Sequence, residues 1–357
     1  MPEQTTAPPP IAQHGASQLS SVTLDAYNAE LRDKDGFIGD RASKRAFRAI
    51  LDEWRERMRA AGEDPLGDAP TEELTKRRLD KVLAEGDVEA AGLVQAALEE
   101  FSQELAAVTR RFLKLKGWRD TQRIAVGGGM SGSRIGKLAI GRASVLLKAD
   151  GQGVELRPIA HEPDEAGLIG AAHLAPSWIF AGHDSLLAVD IGGTNIRAGI
   201  VELNLKKAKD LSAARVIGLD LWRHRDDTPT RDEAVQRLAE MLRGLAARAR
   251  SEKHRLAPFI GIGCPGIIEA DGSIDRGGQN LPGNWESSRF NLPTALRAAV
   301  PELNGEPSVV LMHNDAVVQG LSQTPFMQDV ERWGVLTIGT GLGNARFTNR
   351  APTASAD

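Results

Sequence analysis

A single cysteine, Cys264, is all the thiol chemistry in the 357 residues. One cysteine excludes an internal disulfide and any thiolate zinc cluster. Its setting, Phe259-Ile-Gly-Ile-Gly-Cys264-Pro, is apolar and marks it as a packing residue. An excess of positive charge is also missing, with 44 Lys and Arg against 48 Asp and Glu and a formal net charge of -4. That balance argues against a nucleic-acid partner, which needs a basic face. The densest basic run, Arg110-Arg111 with Lys114, Lys116 and Arg119, reads as a solvated helix end. No run approaches the roughly 18 apolar residues of a membrane span. Met1-Pro-Glu-Gln lacks the basic-then-apolar secretory pattern. The expectation is a cytoplasmic protein with no membrane and no nucleic-acid partner.

What is present is an ordinary globular composition, 41% hydrophobic and 26% charged. The length allows two modest domains or one large one. Residues 1–20, rich in Pro, Thr, Ala, Ser and Gln, read as a loose tail. From Arg41 to Gly117 the apolar spacing is helical, broken between Gly62 and Pro70. Arg123 to Gly129 reads as a buried strand entering a glycine turn, and Val145–Lys148 and Val154–Ile159 as short strands. Asp164 to Leu174 is a helix with a small-residue face and an Asp at its start. Strands follow at 186–190, 196–202, 216–222, 259–263, 309–312 and 335–338, with a hairpin arm at 344–348 and a helix at 232–250. Strands grouped around helices give an α/β protein.

Four segments carry candidate chemistry. In Asp190-Ile-Gly-Gly-Thr-Asn195 a carboxylate ends a strand, and Gly192 and Gly193 let backbone N–H groups face an anion. Thr194 and Asn195 add donors, and Asp190 could hold Mg²⁺ against a triphosphate. Gly339-Thr340-Gly341-Leu-Gly343 has the same design, and the pair could clasp a phosphate chain. Each is also compatible with a plain hairpin turn. Val309-Val-Leu-Met-His313-Asn314-Asp315 is an apolar strand ending in polar side chains, at the sheet edge where open α/β folds bind ligands. Asp315 there could accept a hydroxyl proton and Asn314 could hold a hydroxyl. An Asn-Asp helix cap is the alternative, with His313 a structural neighbour. Gln279-Asn280-Leu-Pro-Gly-Asn284-Trp285 offers amides for hydroxyls and an aromatic that could stack on a sugar ring.

Together these residues resemble the ROK family (repressors, open reading frames and kinases). The likeness runs through Asp190-Ile-Gly-Gly-Thr, Gly263-Cys-Pro-Gly266, Asn280-Leu-Pro, His313-Asn-Asp315 and Gly339-Thr-Gly-Leu-Gly343, over about 186–347. Glu85-Gly-Asp87, Ile124-Ala-Val-Gly127-Gly128-Gly129 and Asp164-Glu-Ala-Gly-Leu-Ile-Gly resemble the end of a family chain, yet here they come first. That order implies a circular permutation, with the old ends joined through about 175–184. The resemblance implies an actin-like ATPase and sugar-kinase (RNase H-like) fold with two domains around a cleft. Residues 21–163 with 316–357 would form the larger domain and 164–315 the smaller.

It further implies ATP- and Mg²⁺-dependent phosphorylation of a hexose or amino sugar, glucokinase-like, with a second copy of the chain as a candidate partner. Asp190, Gly192, Gly193 and Thr194 would face phosphate and Mg²⁺, with Asn195 the turn's own further donor, and Thr340 and Gly341 would form the second phosphate turn. Gly127, Gly128 and Gly129 would lie near the adenosine. Asn280 and Asn314 would bind sugar, with Asp315 as base, and Asn284 is a further sugar-binding candidate from the amide-rich loop. The chain departs from the family in two places. The zinc signature is missing, so no zinc is expected, and so is the Gly-Glu-x-Gly-His element that supplies sugar ligands. His14, Glu30 and Asp40 are the candidate replacements. A regulatory protein without turnover and a polyphosphate-dependent kinase are the alternatives.

Overall fold

The computed structural model describes residues 12–34 and 36–350. It is a mixed α/β structure whose strands are β1 (Val22–Tyr27), β2 (Arg123–Gly127), β3 (Glu155–Pro158), β4 (Ser185–Ile191), β5 (Ile196–Glu202), β6 (Arg215–Trp222), β7 (Leu256–Cys264), β8 (Val309–Asn314), β9 (Arg332–Ile338) and β10 (Leu342–Asn349). The principal helices are α1 (Lys44–Ala61), α2 (Lys76–Glu85), α3 (Val88–Leu113), α4 (Arg134–Ala149), α5 (Ala166–Ala172), α6 (Arg231–Ser251), α7 (Leu292–Ala299) and α8 (Asp315–Leu321). The chain divides into two compact units. Among the described residues the first holds 12–24, 165–326 and 350, and the second holds 25–34, 36–164 and 327–349.

The first unit is built on a sheet ordered β6-β5-β4-β7-β8. β4 pairs antiparallel with β5 and parallel with β7, and β8 extends the parallel part. All seven residues of β4 and all nine of β7 are buried, as expected of strands covered on both faces. Leu187, Val189 and Ile191 pack with Leu238, Leu242 and Leu245 of α6. Alternate residues point to the opposite face. There Gly170 brings α5 so close to α8 that a Cβ would lie 1.7 Å from the Val318 carbonyl oxygen.

The second unit has a sheet ordered β1-β10-β9-β2-β3, with β9 antiparallel to β10 and parallel to β2. Counted from β9 through β10 and then β1, β2 and β3, this is the same third-second-first-fourth-fifth order that the first unit shows from β4. Its core is carried by α3, whose Val94, Leu98, Phe101, Leu105 and Val108 are buried. Arg55 of α1 is also fully buried, donating to Asp64, to Thr71 Oγ1 and to the carbonyls of Gly67 and Ala69. That network fixes the loop after α1.

Several expectations need correction. Residues 12–20 are not loose, because Gly15 and Ala16 hydrogen bond to the edge of β8 and Gln18 bridges Thr23. Val145–Lys148 lie inside α4, whose start is fixed by the Ser133 cap and by the Asp80 carboxylate accepting from the N–H groups of Arg134 and Ile135. Helix α5 begins at Ala166, with Glu165 rather than Asp164 at its N-cap position. Residues 316–326 belong with the first unit, because α8 packs against α5 and β7. That unit, expected to be the smaller, holds the greater share of the chain.

Candidate active site

In the first unit, three adjacent parallel strands end together. The register sets Asp190 of β4 beside Gly263 of β7, and Cys264 of β7 beside Asn314 of β8. Asp315 opens α8 immediately after β8. The Asp190 and Asp315 carboxylates therefore share the C-terminal edge of one sheet, the usual ligand edge of such sheets. Burial, and then the negative field of Asp190, push the Asp315 carboxyl up to about 7. Backbone N–H groups at Ala316 and Asp315 and the Asn314 side chain oppose that rise. Cys264 beneath them is fully buried, and burial, Asp315 and Asp190 all raise its thiol further. It stays protonated and inert, as its apolar setting predicts.

Asp190 is itself restrained. Arg197, directly opposite it on β5, pairs with it at 3.3 Å. Gly167 of α5 comes so near that a Cβ would lie 2.6 Å from the Asp190 carboxyl carbon. The following turn is closed by Gly192 N–H donating to the Asn195 carbonyl. His224 Nε2 lies 2.8 Å from the Gly192 carbonyl oxygen, and Arg225 N–H donates to the Thr194 carbonyl. Asn195 Oδ1 is buried with no hydrogen-bond partner. Asn280 lies against the same turn, since a Cβ on Gly193 would sit 2.9 Å from the Asn280 Cβ.

Two residues of the expected sugar side carry structural contacts. Asn314 caps α8, its Oδ1 accepting from Ala316 and Val317, while its amide donates to the Gly266 carbonyl. Trp285 is not a stacking platform. It is 1% exposed, edge-on to Phe290, with its indole N–H on the Pro282 carbonyl. Asn284 is exposed but bonds locally, its Oδ1 accepting from Glu286 N–H.

The remaining predicted residues fall in the second unit. The register sets Gly127 of β2 beside Thr337 of β9, so the Gly127–Gly129 and Gly339–Gly341 turns leave neighbouring parallel strands. A Cβ on Gly128 would lie 2.3 Å from the Ile338 carbonyl oxygen. The start of α1 abuts the second turn, with Lys44 N–H donating to the Gly339 carbonyl and Arg45 Nε to that of Thr340. Asp40 pairs loosely with Arg45 at 3.8 Å, and Lys76 donates to the Gly129 carbonyl. Glu30 is exposed and pairs with Arg32.

Reading the sequence alone missed Arg197, His224, Gly167, Arg45 and Lys76. Arg197 carried a usable signal, because a turn that pairs Ile191 with Ile196 sets residue 197 opposite residue 190. His224 carried none, since its contact depends on where the chain re-enters after β6. Among the described residues there is no cluster of three or more His, Cys, Asp or Glu that could hold a metal by themselves. Nor is any described helix long and apolar enough to cross a membrane.

No family model matches the chain. Over 166 residues it is 27% identical to a glucokinase of Thermotoga maritima, an overlap of 46% of this chain. The chain thus spans less than half, 44%, of that relative's length.

Proposed function

We propose that the protein is a glucokinase-like sugar kinase of the ROK type, using ATP and Mg²⁺ to phosphorylate a hexose, with Asp315 as general base. The observation that carries this reading is the Asp315 carboxyl, held near pH 7 beside Asp190 where three parallel strands end. A base with that affinity accepts a hydroxyl proton at neutral pH without holding it too tightly to release. Capping of α8 by Asn314 aims the carboxylate and limits the rearrangement needed when the hydroxyl arrives.

The glycine turn after Asp190 offers backbone N–H groups to a phosphate, and His224 keeps that turn in place through the Gly192 carbonyl. Asp190 and the partnerless Asn195 Oδ1 are acceptors of the kind Mg²⁺ takes, directly or through its waters. Bound there, Mg²⁺ would supply charge neutralisation for the donor's phosphates. Arg197, already paired with Asp190, limits how far that carboxylate swings. The Gly127–Gly129 and Gly339–Gly341 turns of the second unit are the expected contacts for the nucleotide.

The fold reading is an actin-like sugar-kinase fold, circularly permuted. It is supported by the strand order the two sheets share when the second is counted from β9. It is also supported by Arg350, whose N–H donates to the Ser21 carbonyl and whose guanidinium donates to that of Leu19. The end of β10 thus lies beside the approach to β1.

The deciding experiment is a coupled assay across hexoses and amino sugars, with ATP and polyphosphate as donors and Asp315→Asn as control. Turnover of at least one sugar is expected, with a loss of about 10²–10⁴-fold in the variant. No turnover above the variant with any pair sinks the kinase reading. Tight sugar binding by calorimetry without turnover would make the protein a sugar sensor instead.

A further inference from the structure

Strand β8 lies at the edge of its sheet, yet its outer side is not bare. The Met312 N–H donates to His14 Nδ1 at 3.0 Å, and the Met312 carbonyl accepts from Gly15 N–H at 3.1 Å. One residue on, His313 is 1% exposed, and burial lowers its pKa to about 4. A neutral imidazole has one donor and one acceptor nitrogen. Nδ1 accepts from the Asn314 N–H at 2.7 Å, so Nε2 carries the proton and donates to the Ala16 carbonyl at 3.2 Å. The Asn314 side chain is in turn committed to the first turn of α8 and to Gly266. A continuous series of bonds therefore runs from Ala16 through His313 and Asn314 to the backbone that aims Asp315.

We infer that residues 14–16 are a strap that positions Asp315, acting through His313. This rests on the kinase reading of Asp315, and His313 is a positioning residue, not a catalytic one. The strap's seat is shaped for it. Gly15 has φ +60°, and a Cβ there would lie 2.0 Å from the Ile268 carbonyl oxygen. The same loop supplies the Gly266 carbonyl to Asn314. Strap, loop and helix cap thus meet around one residue pair, and loosening the strap frees His313 to turn away from Asn314. A strap that acts only on the aim of the base slows the chemical step more than it weakens sugar binding.

Two variants break the series at separate points. His313→Asn keeps an acceptor for the Asn314 N–H but cannot reach Ala16, while Gly15→Ala unseats the strap and leaves His313 intact. Each should lower kcat about 10- to 100-fold, in the range that small misplacements produce, with KM for the sugar within about twofold. The double variant should be no worse than either single, because both act through one contact. Losses that multiply, or earlier melting with kcat unchanged, would overturn the proposal. If the wild-type protein phosphorylates no sugar, the kinase reading falls on its own. The strap is then judged by amide exchange at Asn314 and Asp315, where faster exchange in both variants supports it and unchanged exchange overturns it.

Discussion

At the scale of single residues, Asp315 meets two opposed requirements. Its place at the sheet edge is what a base needs, yet burial and the neighbouring Asp190 both disfavour its charge. The sign of the consequence follows from linkage. The unfolded carboxyl releases its proton near its ordinary value, while the folded one keeps it up to about 7. Stability therefore falls as pH rises through that window and stays reduced above it. Asp315→Asn should melt higher than wild type at pH 8, with the difference shrinking toward pH 4, while turnover is lost. In the wild-type protein, kcat/KM should climb with a single ionisation near pH 7 and then level. A flat profile between pH 6 and 8 would mean that Asp315 does not carry the rate. The carboxylate was legible in the sequence because an apolar strand ran directly into it. Its environment was not, because Asp190 and Cys264 come from other strands.

At the scale of elements, Arg55 shows how a polar side chain can organise an apolar helix. It has no exposed surface, and its donors meet Asp64, Thr71 and two carbonyls of the loop after α1. Arg55→Met should cost about 3–5 kcal/mol in denaturant unfolding, because two loop carbonyls and Thr71 lose their donor and the buried Asp64 is left with only Arg59 and the Leu66 N–H. A loss under 1 kcal/mol would show that the loop repacks. Strands that ended in glycine or in acidic residues were readable, since composition changes abruptly there. Helix α4 was half hidden. Its glycine-rich approach suppresses helical periodicity, and its N-terminus is satisfied by Asp80, some 54 positions away. Trp285 misled for a related reason, since an aromatic in an amide-rich loop looks like a platform until the core claims it. The strap at 14–16 looked loose because it docks through backbone bonds and two histidines, leaving almost no apolar pattern.

At the scale of the whole chain, the two sheets share one strand order when the second is counted from β9. Arg350 already bonds to Leu19 and Ser21. A chain rebuilt to begin at Ser185, with a flexible linker joining residue 350 to residue 12, should fold and keep the wild-type spectrum and activity. Failure of that rearranged chain to fold would count against the permuted reading. The sequence feature that suggests this reading is motif order, with the Gly127–Gly129 turn ahead of the one at Asp190.

The order of the second sheet has a consequence for synthesis on the ribosome. Its central strand, β9, and that strand's neighbour β10 are translated last. Until residues 332–349 emerge, β1 and β2 are strangers, separated by a gap two strands wide. The first unit's long stretch, 165–326, is complete before then. Pulse-labelled translation should accordingly show amides of β4 and β7 protected before those of β2 and β3. The half of the protein made first would be the half that finishes second.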